Sequence, residues 1–369
     1  MRKAGSALAV VIAALAVSVL AAAALAPRAP QAVPASAVAE GPDGLKIWKV
    51  PNVSEGAECY FSPDGKSLIY NGKETGDPTH QVYTIRLDGT NRKRINDKGA
   101  DACSYWRPDG KALIWTSTRD HLDMKPGNFS DVRDYPQGAE IYTSDLDGGH
   151  VVRVTNNTNY DAEVTYAPDG HKIVFGRQIE GRMDLWTMNP DGSNQKQITF
   201  TPDWQEGGSV FLPDNKTIIT RAWKMSEQDL PSKQMQLFLL NEDGSDIRQI
   251  TTEPGTHWSP YPAPDGVHAV YVKLLPPRNF EIFLINLKTG EEKRLTTNDA
   301  FDGFPSISPD GRLMAISSSR GAAPGQRMMS LFLVPTGEAP VGTRTAKRPP
   351  SRRQVKHPSE RGRRSDRPR

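Results

Sequence analysis

One short turn, usually Pro-Asp-Gly, recurs six times along this chain of 369 residues. Successive copies begin 45, 60, 45, 51 and 45 residues apart. A repeat of about 40–50 residues is typical of a β-propeller, in which each repeat forms one small sheet called a blade. The six copies lie at Pro63–Gly65, Pro108–Gly110, Pro168–Gly170, Pro213–Asn215, Pro264–Gly266 and Pro309–Gly311.

The residues of this turn suit a tight hairpin. Proline holds φ near about −65°, which fits the second position of the turn, and aspartate can cap the turn with its side chain. Glycine supplies the left-handed conformation that follows. The fourth copy has Asn215 there instead, the non-glycine residue that tolerates this conformation best. We therefore expect the six turns to share one geometry.

Each turn belongs to a unit of four short apolar segments. In the first unit, three of these segments are Cys59–Phe61, Leu68–Tyr70 and Val82–Ile85. Fourth segments are represented by Gln197–Thr199 and Arg294–Thr296 in later units. Short β segments with turns between them indicate an all-β protein, and four per repeat indicate propeller blades. The sequence thus predicts a six-bladed β-propeller with four antiparallel strands in each blade.

The sixth unit is incomplete, and its missing strand stands near the start of the chain. No fourth segment follows Gly337, whereas Leu45–Val50 follows a turn and has no preceding strands of its own. Pairing the two ends would remove an open sheet edge. We therefore expect Leu45–Val50 to complete the blade that begins at Phe304, so that the propeller spans residues 41–338.

The two ends of the chain differ in composition from the repeats. Residues 1–37 begin with a basic pair and continue into a long apolar run followed by small residues. This predicts a signal peptide or a membrane anchor with a linker, and either one places the propeller in the periplasm or outside the cell. Residues 339–369 are basic and poor in apolar residues, so we expect a disordered tail. The tail could contact an anionic polymer or a membrane.

The two cysteines, Cys59 and Cys103, lie at neighbouring positions of adjacent units. In an oxidising compartment they could form a disulfide bond. They precede their turn prolines by four and five residues respectively, and side chains alternate between the two faces of a strand. This difference in register favours two free thiols.

Three motifs resemble the repeat of the TolB-like propellers. They are Asp161–Gly170, with the pattern Asp-x-Glu-x-x-x-x-Pro-Asp-Gly, Ser318–Gly321 after a second strand, and Gln197–Thr199 in a fourth. The resemblance runs from Gly41 to Gly337 and implies a six-bladed TolB-like propeller. Members of this family include periplasmic Tol–Pal components and the propeller domains of oligopeptidases. We expect no counterpart of the amino-terminal α/β domain of TolB.

The long insertions are predicted to lie on one face of the propeller. The hairpin turns stay short, but the second-to-third-strand connections of blades 2 and 4 contain Arg119–Gly138 and Trp223–Gln234. In a propeller these connections share a face with the links between blades. We call it the loop face, and the opposite side the hairpin face. Insertions gathered on one face of a repeat protein mark its binding face.

Acidic or imidazole side chains precede five of the turn prolines by seven residues, and symmetry predicts a ring of them at the channel mouth. Glu58 and Glu163 stand five residues before their prolines, and Arg119 and Arg320 could neutralise part of the ring. The ring could bind a cation or a basic protein segment, or its carboxylates could cap their own loops. The ring residues are Asp101, Asp161, Glu206, His257 and Asp302.

The sequence favours a non-catalytic, monomeric binding protein over an enzyme. It contains no serine-hydrolase elbow, no zinc-protease helix motif and no phosphate-binding glycine loop. We expect the loop face to bind an envelope or extracellular protein or peptide, with no nucleic-acid partner and no cofactor except a cation at the channel mouth. The alternative is a metal-assisted enzyme acting on an envelope or extracellular polysaccharide, for which His80, His121 and His257 are the candidate ligands.

Overall fold

The computed structural model describes residues 39–41, 43–230, 233–323, 326 and 328–337. Within these ranges the strands form six antiparallel sheets arranged as blades, and the first strands of neighbouring blades contact each other in a closed ring. The predicted six-bladed β-propeller is confirmed. The predicted export segment, residues 1–37, and the predicted basic tail, residues 339–369, lie outside the described residues.

Blades 1 to 5 each use four consecutive strands, ordered from the channel outward. Blade 1 consists of β3 Gly56–Phe61, β4 Ser67–Gly72, β5 Gln81–Arg86 and β6 Lys93–Arg94. Blade 2 consists of β7 Asp101–Trp106, β8 Leu113–Ser117, β9 Glu140–Ser144 and β10 Val152–Arg153. Blade 3 consists of β11 Tyr160–Tyr166, β12 Ile173–Ile179, β13 Arg182–Met188 and β14 Lys196–Gln197.

The next two blades follow the same order. Blade 4 consists of β15 Trp204–Phe211, β16 Thr217–Lys224, β17 Gln236–Asn241 and β18 Arg248–Gln249, with a 3₁₀ turn at Met225–Glu227 between its second and third strands. Blade 5 consists of β19 His257–Pro262, β20 His268–Leu275, β21 Asn279–Asn286 and β22 Glu292–Arg294. No helix in the described ranges has the length and apolarity that a bilayer crossing requires.

Blade 6 joins the two ends of the propeller, as predicted. Its strands are β23 Asp302–Ile307, β24 Leu313–Ser318, β25 Ser330–Pro335 and β2 Lys46–Lys49, and β1 Ala39–Glu40 adds a fifth strand outside them. Trp48 pairs with Leu333 in the register of this closure. Trp48 and Leu333 are buried together in the core between blades 6 and 1, so the closure is packed as well as hydrogen-bonded.

Arg320 fixes the entry of the closing strand. Its guanidinium donates to both carboxylate oxygens of Asp43 at 3.0 Å and to Asp302 at 2.7 Å. Asp43 stands in the turn before β2, and Asp302 begins β23, so one side chain bridges the two ends of blade 6. The two carboxylates are buried and the Arg320 side chain is 10% exposed, so breaking this network leaves buried charges without a partner.

The six repeat turns share one conformation, as predicted. The residue after each aspartate has a positive φ, from 62° at Asn215 to 76° at Gly170. Each aspartate also accepts a hydrogen bond from the backbone N–H two residues later, for example at 3.0 Å from His171 to Asp169. The turns therefore cap themselves and stay short on the hairpin face.

The fourth strands end earlier than predicted. The prediction of Gln197–Thr199 is corrected to Lys196–Gln197. Ile198 still donates to the carbonyl of Leu185 at 2.8 Å, but at the next residue a threonine side chain replaces the backbone acceptor. Thr199 Oγ1 accepts a hydrogen bond of 2.9 Å from the backbone N–H of Leu185 in the neighbouring strand. Thr155, Thr251 and Thr296 do the same in blades 2, 4 and 5.

Candidate functional site

Each innermost strand contains a β-bulge at the same place, five residues before the turn proline. The register between first and second strands shifts there in all six blades. The bulged residue has a left-handed backbone, with φ between 49° and 60°. A bulge re-aims the side chain of the extra residue. The six residues, which we call the bulge ring, are Glu58, Cys103, Glu163, Gly208, Ser259 and Phe304.

Left-handed backbone at a non-glycine residue costs free energy, so it is found at functional sites or where the surrounding structure holds the residue in that conformation. Five of the six ring members are not glycine, and Phe304 is bulky. This strain has no signature in the sequence, because the six residues have no side-chain chemistry in common. Of the six, only Glu58 and Glu163 were predicted to be site residues.

Tyrosines close the channel on the hairpin side of the bulge ring. The hydroxyls of Tyr105 in blade 2 and Tyr261 in blade 5 are 3.1 Å apart, so their side chains meet across the channel. The ring of Tyr60 packs against both, with centroid distances of 5.1 and 5.8 Å. These three side chains, which we call the tyrosine plug, therefore lie across the channel. We call the part of the channel between the plug and the loop face the chamber.

Bulge residues of neighbouring blades are linked by hydrogen bonds. Glu58 accepts from the backbone N–H of Cys103 at 3.2 Å and from Asn71 at 2.5 Å. Glu163 accepts from the backbone N–H of Gly208 at 2.6 Å and from the Arg221 guanidinium at 2.6 Å. The side chain of one bulge thus binds the strained backbone of the next, which helps to hold the ring in place.

Gly208 makes room for the only arginine in contact with the ring in the described part of the chain. A Cβ atom at Gly208 would lie 2.2 Å from Nη1 of Arg221, and the residue also has a φ of 60°. In its present conformation the Arg221 guanidinium occupies the space that a side chain at position 208 would take. The Nε atom of Arg221 is buried and has no hydrogen-bond partner among the described residues.

Burial is the main cause of the pKa shifts of the side chains that line the chamber. It raises the pKa of Glu58, and the charge of Glu163 raises it further. Burial also raises the pKa of the Cys103 thiol well above its usual range, with the charges of Glu58 and Glu163 adding to the effect. Cys103 and Cys59 are free thiols; Cys59 packs instead in the core between blades 6 and 1. Burial and the charge of Glu163 both favour the protonated, uncharged form of Glu58.

The long insertion of blade 2 covers part of the chamber entrance. Tyr135 stacks on Tyr160 at 4.2 Å, and the backbone carbonyl of Val132 accepts a hydrogen bond of 2.7 Å from Gln178. Arg133 reaches the insertion of blade 4, where it forms an exposed ion pair of 2.6 Å with Asp229. The two predicted insertions therefore meet over the same region of the loop face.

The ring predicted seven residues before the prolines is part of the propeller wall. All five side chains are buried, with exposed fractions of 6% or less. Asp161 pairs with Arg177 at 2.6 Å, and Asp302 pairs with Arg320. Asp101 accepts hydrogen bonds from Asn96 and from the backbone N–H of Val82. Glu206 accepts from two threonine hydroxyls, and His257 contacts the backbone carbonyl of Met235.

These contacts match the loop-capping role that the sequence left open for the five residues. Arg320 neutralises Asp302, as expected, whereas Arg119 binds Asn96 and approaches Asp97 at 3.7 Å. Burial raises the pKa of Asp101 to about 7, although Ser117, Val82 and Asn96 oppose the shift. The use of these residues as partner contacts stays a prediction.

Glu206, like Asp101, forms no ion pair with a basic side chain of the described residues, unlike Asp161 and Asp302. The hydroxyls of Thr199 and Thr201 donate to its two oxygens. Burial raises the pKa of Glu206 to about 7, the threonines oppose this, and Asp184 adds to it.

The three candidate metal-binding histidines lie apart, each with its own partner. His121 Nε2 is 2.9 Å from the Arg153 guanidinium, His80 is 3.5 Å from Glu55, and buried His257 faces the carbonyl of Met235. Among the described residues, no three histidine, cysteine or acidic side chains are grouped so that they could hold a metal ion.

Residues 132–273 match the family model described as the TolB beta propeller domain. The propeller is TolB-like. An uncharacterised protein of Agrobacterium fabrum is 25% identical over 279 residues, which cover 62% of this chain and 88% of that protein. A protein named as a TolB homologue in Chlorobium luteolum is 28% identical over 138 residues, or 36% of this chain, and the match spans only 28% of its own length.

Solved structures show the same TolB-like fold. A protein of Agrobacterium tumefaciens named as a TolB superposes with a TM-score of 0.56 at 19% identity, covering 79% of this chain and 97% of that one. An oligogalacturonate lyase from Vibrio parahaemolyticus superposes with a TM-score of 0.53 at 13% identity, covering 82% and 96%. At these identities the likeness concerns the fold alone, so the two neighbours do not decide between binding and catalysis.

Proposed function

We propose that this TolB-like propeller binds an envelope or extracellular protein or peptide through its loop face and catalyses no reaction on it. The distribution of exposed apolar side chains carries the proposal. In the described part of the chain eight large apolar side chains are exposed, and five lie on the loop face with the two long insertions. Apolar surface gathered on one face is typical of protein interaction sites. The five are Leu122, Phe200, Met225, Leu230 and Met328.

In this proposal a basic group is the part of the partner that reaches deepest into the chamber. Glu58 has no ion-pair partner among the described residues, and Arg221 is already bound to Glu163. A lysine, arginine or amino terminus of the partner would complement the Glu58 carboxylate. The tyrosine plug limits such a segment to the loop side of the channel.

The periplasmic or extracellular location is part of the same proposal. Its support is the composition of residues 1–37 and the similarity to proteins named as TolB. The polysaccharide-directed enzyme has less support, since His80, His121 and His257 do not converge.

A surface variant with a matched control tests the binding face. The loop-face variant Leu122→Ser/Met225→Ser/Leu230→Ser removes exposed apolar area, and the control Leu146→Ser/Val152→Ser removes it away from that face. Pull-down from an envelope extract should recover the same proteins with the wild type and the control, and should lose them with the loop-face variant. Equal recovery by all three proteins would overturn the proposal.

Glu58→Gln tests the basic group of the partner separately. We expect weaker capture of the proteins lost above, and a smaller decrease in capture when the salt concentration rises, because one charge pair is removed. Glu55→Gln, at a more exposed carboxylate beside His80, is the control. Unchanged capture by Glu58→Gln at low and high salt would show that the partner does not use this carboxylate.

A further inference from the structure

Five of the six blades place a bulky apolar residue opposite an aromatic residue of the third strand. The exception is blade 4, which has Thr220 opposite Phe238. In every blade this position lies on the face turned to the preceding blade. The five bulky pairs are Tyr70 with Tyr83, Trp115 with Tyr142, Phe175 with Trp186, Tyr271 with Phe283, and Ile316 with Phe332.

These bulky residues fill the interfaces between blades. Tyr70, Trp115, Phe175, Tyr271 and Ile316 are each 0% exposed and each belongs to a core cluster shared with the preceding blade. The corresponding cluster between blades 3 and 4 contains Ile218 and Leu240 but neither Thr220 nor Phe238. The interface between blades 3 and 4 therefore lacks one large side chain.

A cavity of about 190 Å³ occupies the place of that side chain. Thr220 and Ala222 line it together with the apolar side chains of Trp204, Phe238 and Leu240. Glu206 and the two threonines that bind its carboxyl, Thr199 and Thr201, also line it. The edge of Trp204 packs against Phe238 at 5.7 Å, which holds two aromatic walls in fixed positions. Ile247 also lines the cavity and is 55% exposed, so the cavity reaches the surface there.

The position two residues later in the second strand is also small in blade 4, as it is in three other blades. Blade 3 has Arg177 there, which lies over Phe175 and Trp186 and covers that pair, whereas blade 4 has Ala222. Small residues at both positions leave the cavity unfilled from within the chain. Close packing is the rule in protein interiors, and an apolar cavity of about 150 Å³ is large enough to hold benzene.

We infer that the cavity between blades 3 and 4 is a binding site for a small aromatic molecule with one six-membered ring. The occupant takes the place that Tyr70, Trp115, Phe175 and Tyr271 fill in their own blades, and it packs against Trp204 and Phe238. Offset or edge-to-face packing of aromatic rings adds to the gain from apolar burial. This site lies at a blade interface and is independent of the proposed loop-face partner.

Binding of fluorobenzene to the full chain, followed by ¹⁹F NMR, tests the inference. We expect saturable binding to one site of the wild type. Thr220→Phe should abolish it by restoring the side chain that the other blades have, and Thr220→Val should retain it because the cavity keeps its size.

Ala222→Met fills the cavity from the adjacent position, so the test does not depend on the folding of Thr220→Phe. Loss of binding in whichever filled variant folds, with binding kept by Thr220→Val, supports the site. Absence of saturable binding to the wild type, or binding that survives in the filled variants, would overturn it.

Discussion

Blades 3 and 4 differ in the residues at two equivalent positions of the repeat, and therefore in how a buried carboxyl is held and how the space beside it is filled. Blade 3 buries Asp161 against Arg177, and the guanidinium also covers Phe175. Blade 4 has Glu206 and Ala222 at the equivalent places, so its carboxyl is held by threonine hydroxyls and a cavity lies beside it. The comparison shows that two blades with an acid at the same position hold its charge in different ways and fill the adjacent volume differently.

The largest effect is expected where an arginine serves two buried acids. Arg320→Ala leaves Asp43 and Asp302 without their cation and loosens the closing strand, so we expect a loss of about 5 kcal/mol in the free energy of unfolding. Urea denaturation measures it, with exposed Arg312→Ala as the control. Similar unfolding midpoints for the two variants would show that the bridge does not secure the ring.

In blade 3 an arginine-to-alanine substitution removes a single buried ion pair. Arg177→Ala should lower the free energy of unfolding by about 3 kcal/mol, because Asp161 stays buried without a cation and, among the described residues, keeps only the hydrogen bond from Asn157. The double variant Asp161→Asn/Arg177→Ala should recover part of this loss, since it also removes the uncompensated charge. A double variant that is less stable than Arg177→Ala would contradict the assignment of the loss to the stranded carboxylate.

Blade 4 should instead show a pH effect. The pKa of Glu206 is raised to about 7 in the folded protein, above the ordinary value of 4.5, so the folded state holds the proton more tightly than the unfolded state. Stability from this group is present below pH 4.5 and is lost as the pH rises toward 7, by an amount on the order of 3 kcal/mol.

Glu206→Gln should therefore flatten the fall in stability between pH 5 and pH 8. Urea unfolding at the two pH values measures the difference. Asp101, whose pKa is also raised to about 7 by burial, should keep part of the dependence in the variant. An identical fall in the wild type and in Glu206→Gln would exclude Glu206 as its source.

The smallest effect concerns the cavity of blade 4. Thr220→Phe copies the arrangement of blade 3 and should have a free energy of unfolding about 1 kcal/mol higher than Thr220→Val, as cavity-filling changes commonly give. Both variants lose the hydrogen bonds of the Thr220 hydroxyl with Gly207 and Ser209, so these cancel in the comparison. Differential scanning calorimetry of Thr220→Phe and Thr220→Val gives the comparison. A lower melting temperature for Thr220→Phe than for Thr220→Val would mean that the cavity cannot accept a ring without strain.

Local sequence signals predicted the features that depend on backbone conformation and chain order. Asn215 in place of glycine indicated the left-handed turn, and the unmatched Leu45–Val50 indicated the closing strand; both were confirmed. The same reasoning placed the acids of the repeat at equivalent positions but did not show that they are buried. Burial depends on the partner, such as Arg177 for Asp161, and the partner is chosen by cross-strand register.

The bulge ring escaped sequence analysis for a related reason. Glu58, Cys103, Gly208 and Phe304 share no side-chain property, so their common left-handed backbone leaves no pattern in the sequence. The link between Gly208 and Arg221 depends on an approach of atoms in two strands, which no local motif encodes.

By itself, the sequence determined the number of blades, the hairpin geometry and the closure of the ring, because turns and apolar periodicity act over a few residues. Only the tertiary structure decided which carboxyls have a cation, where the channel is blocked and which blade lacks a core side chain. Those outcomes arise from packing between strands distant in the chain, where a difference of one side chain, Thr220 instead of an aromatic residue, leaves a cavity.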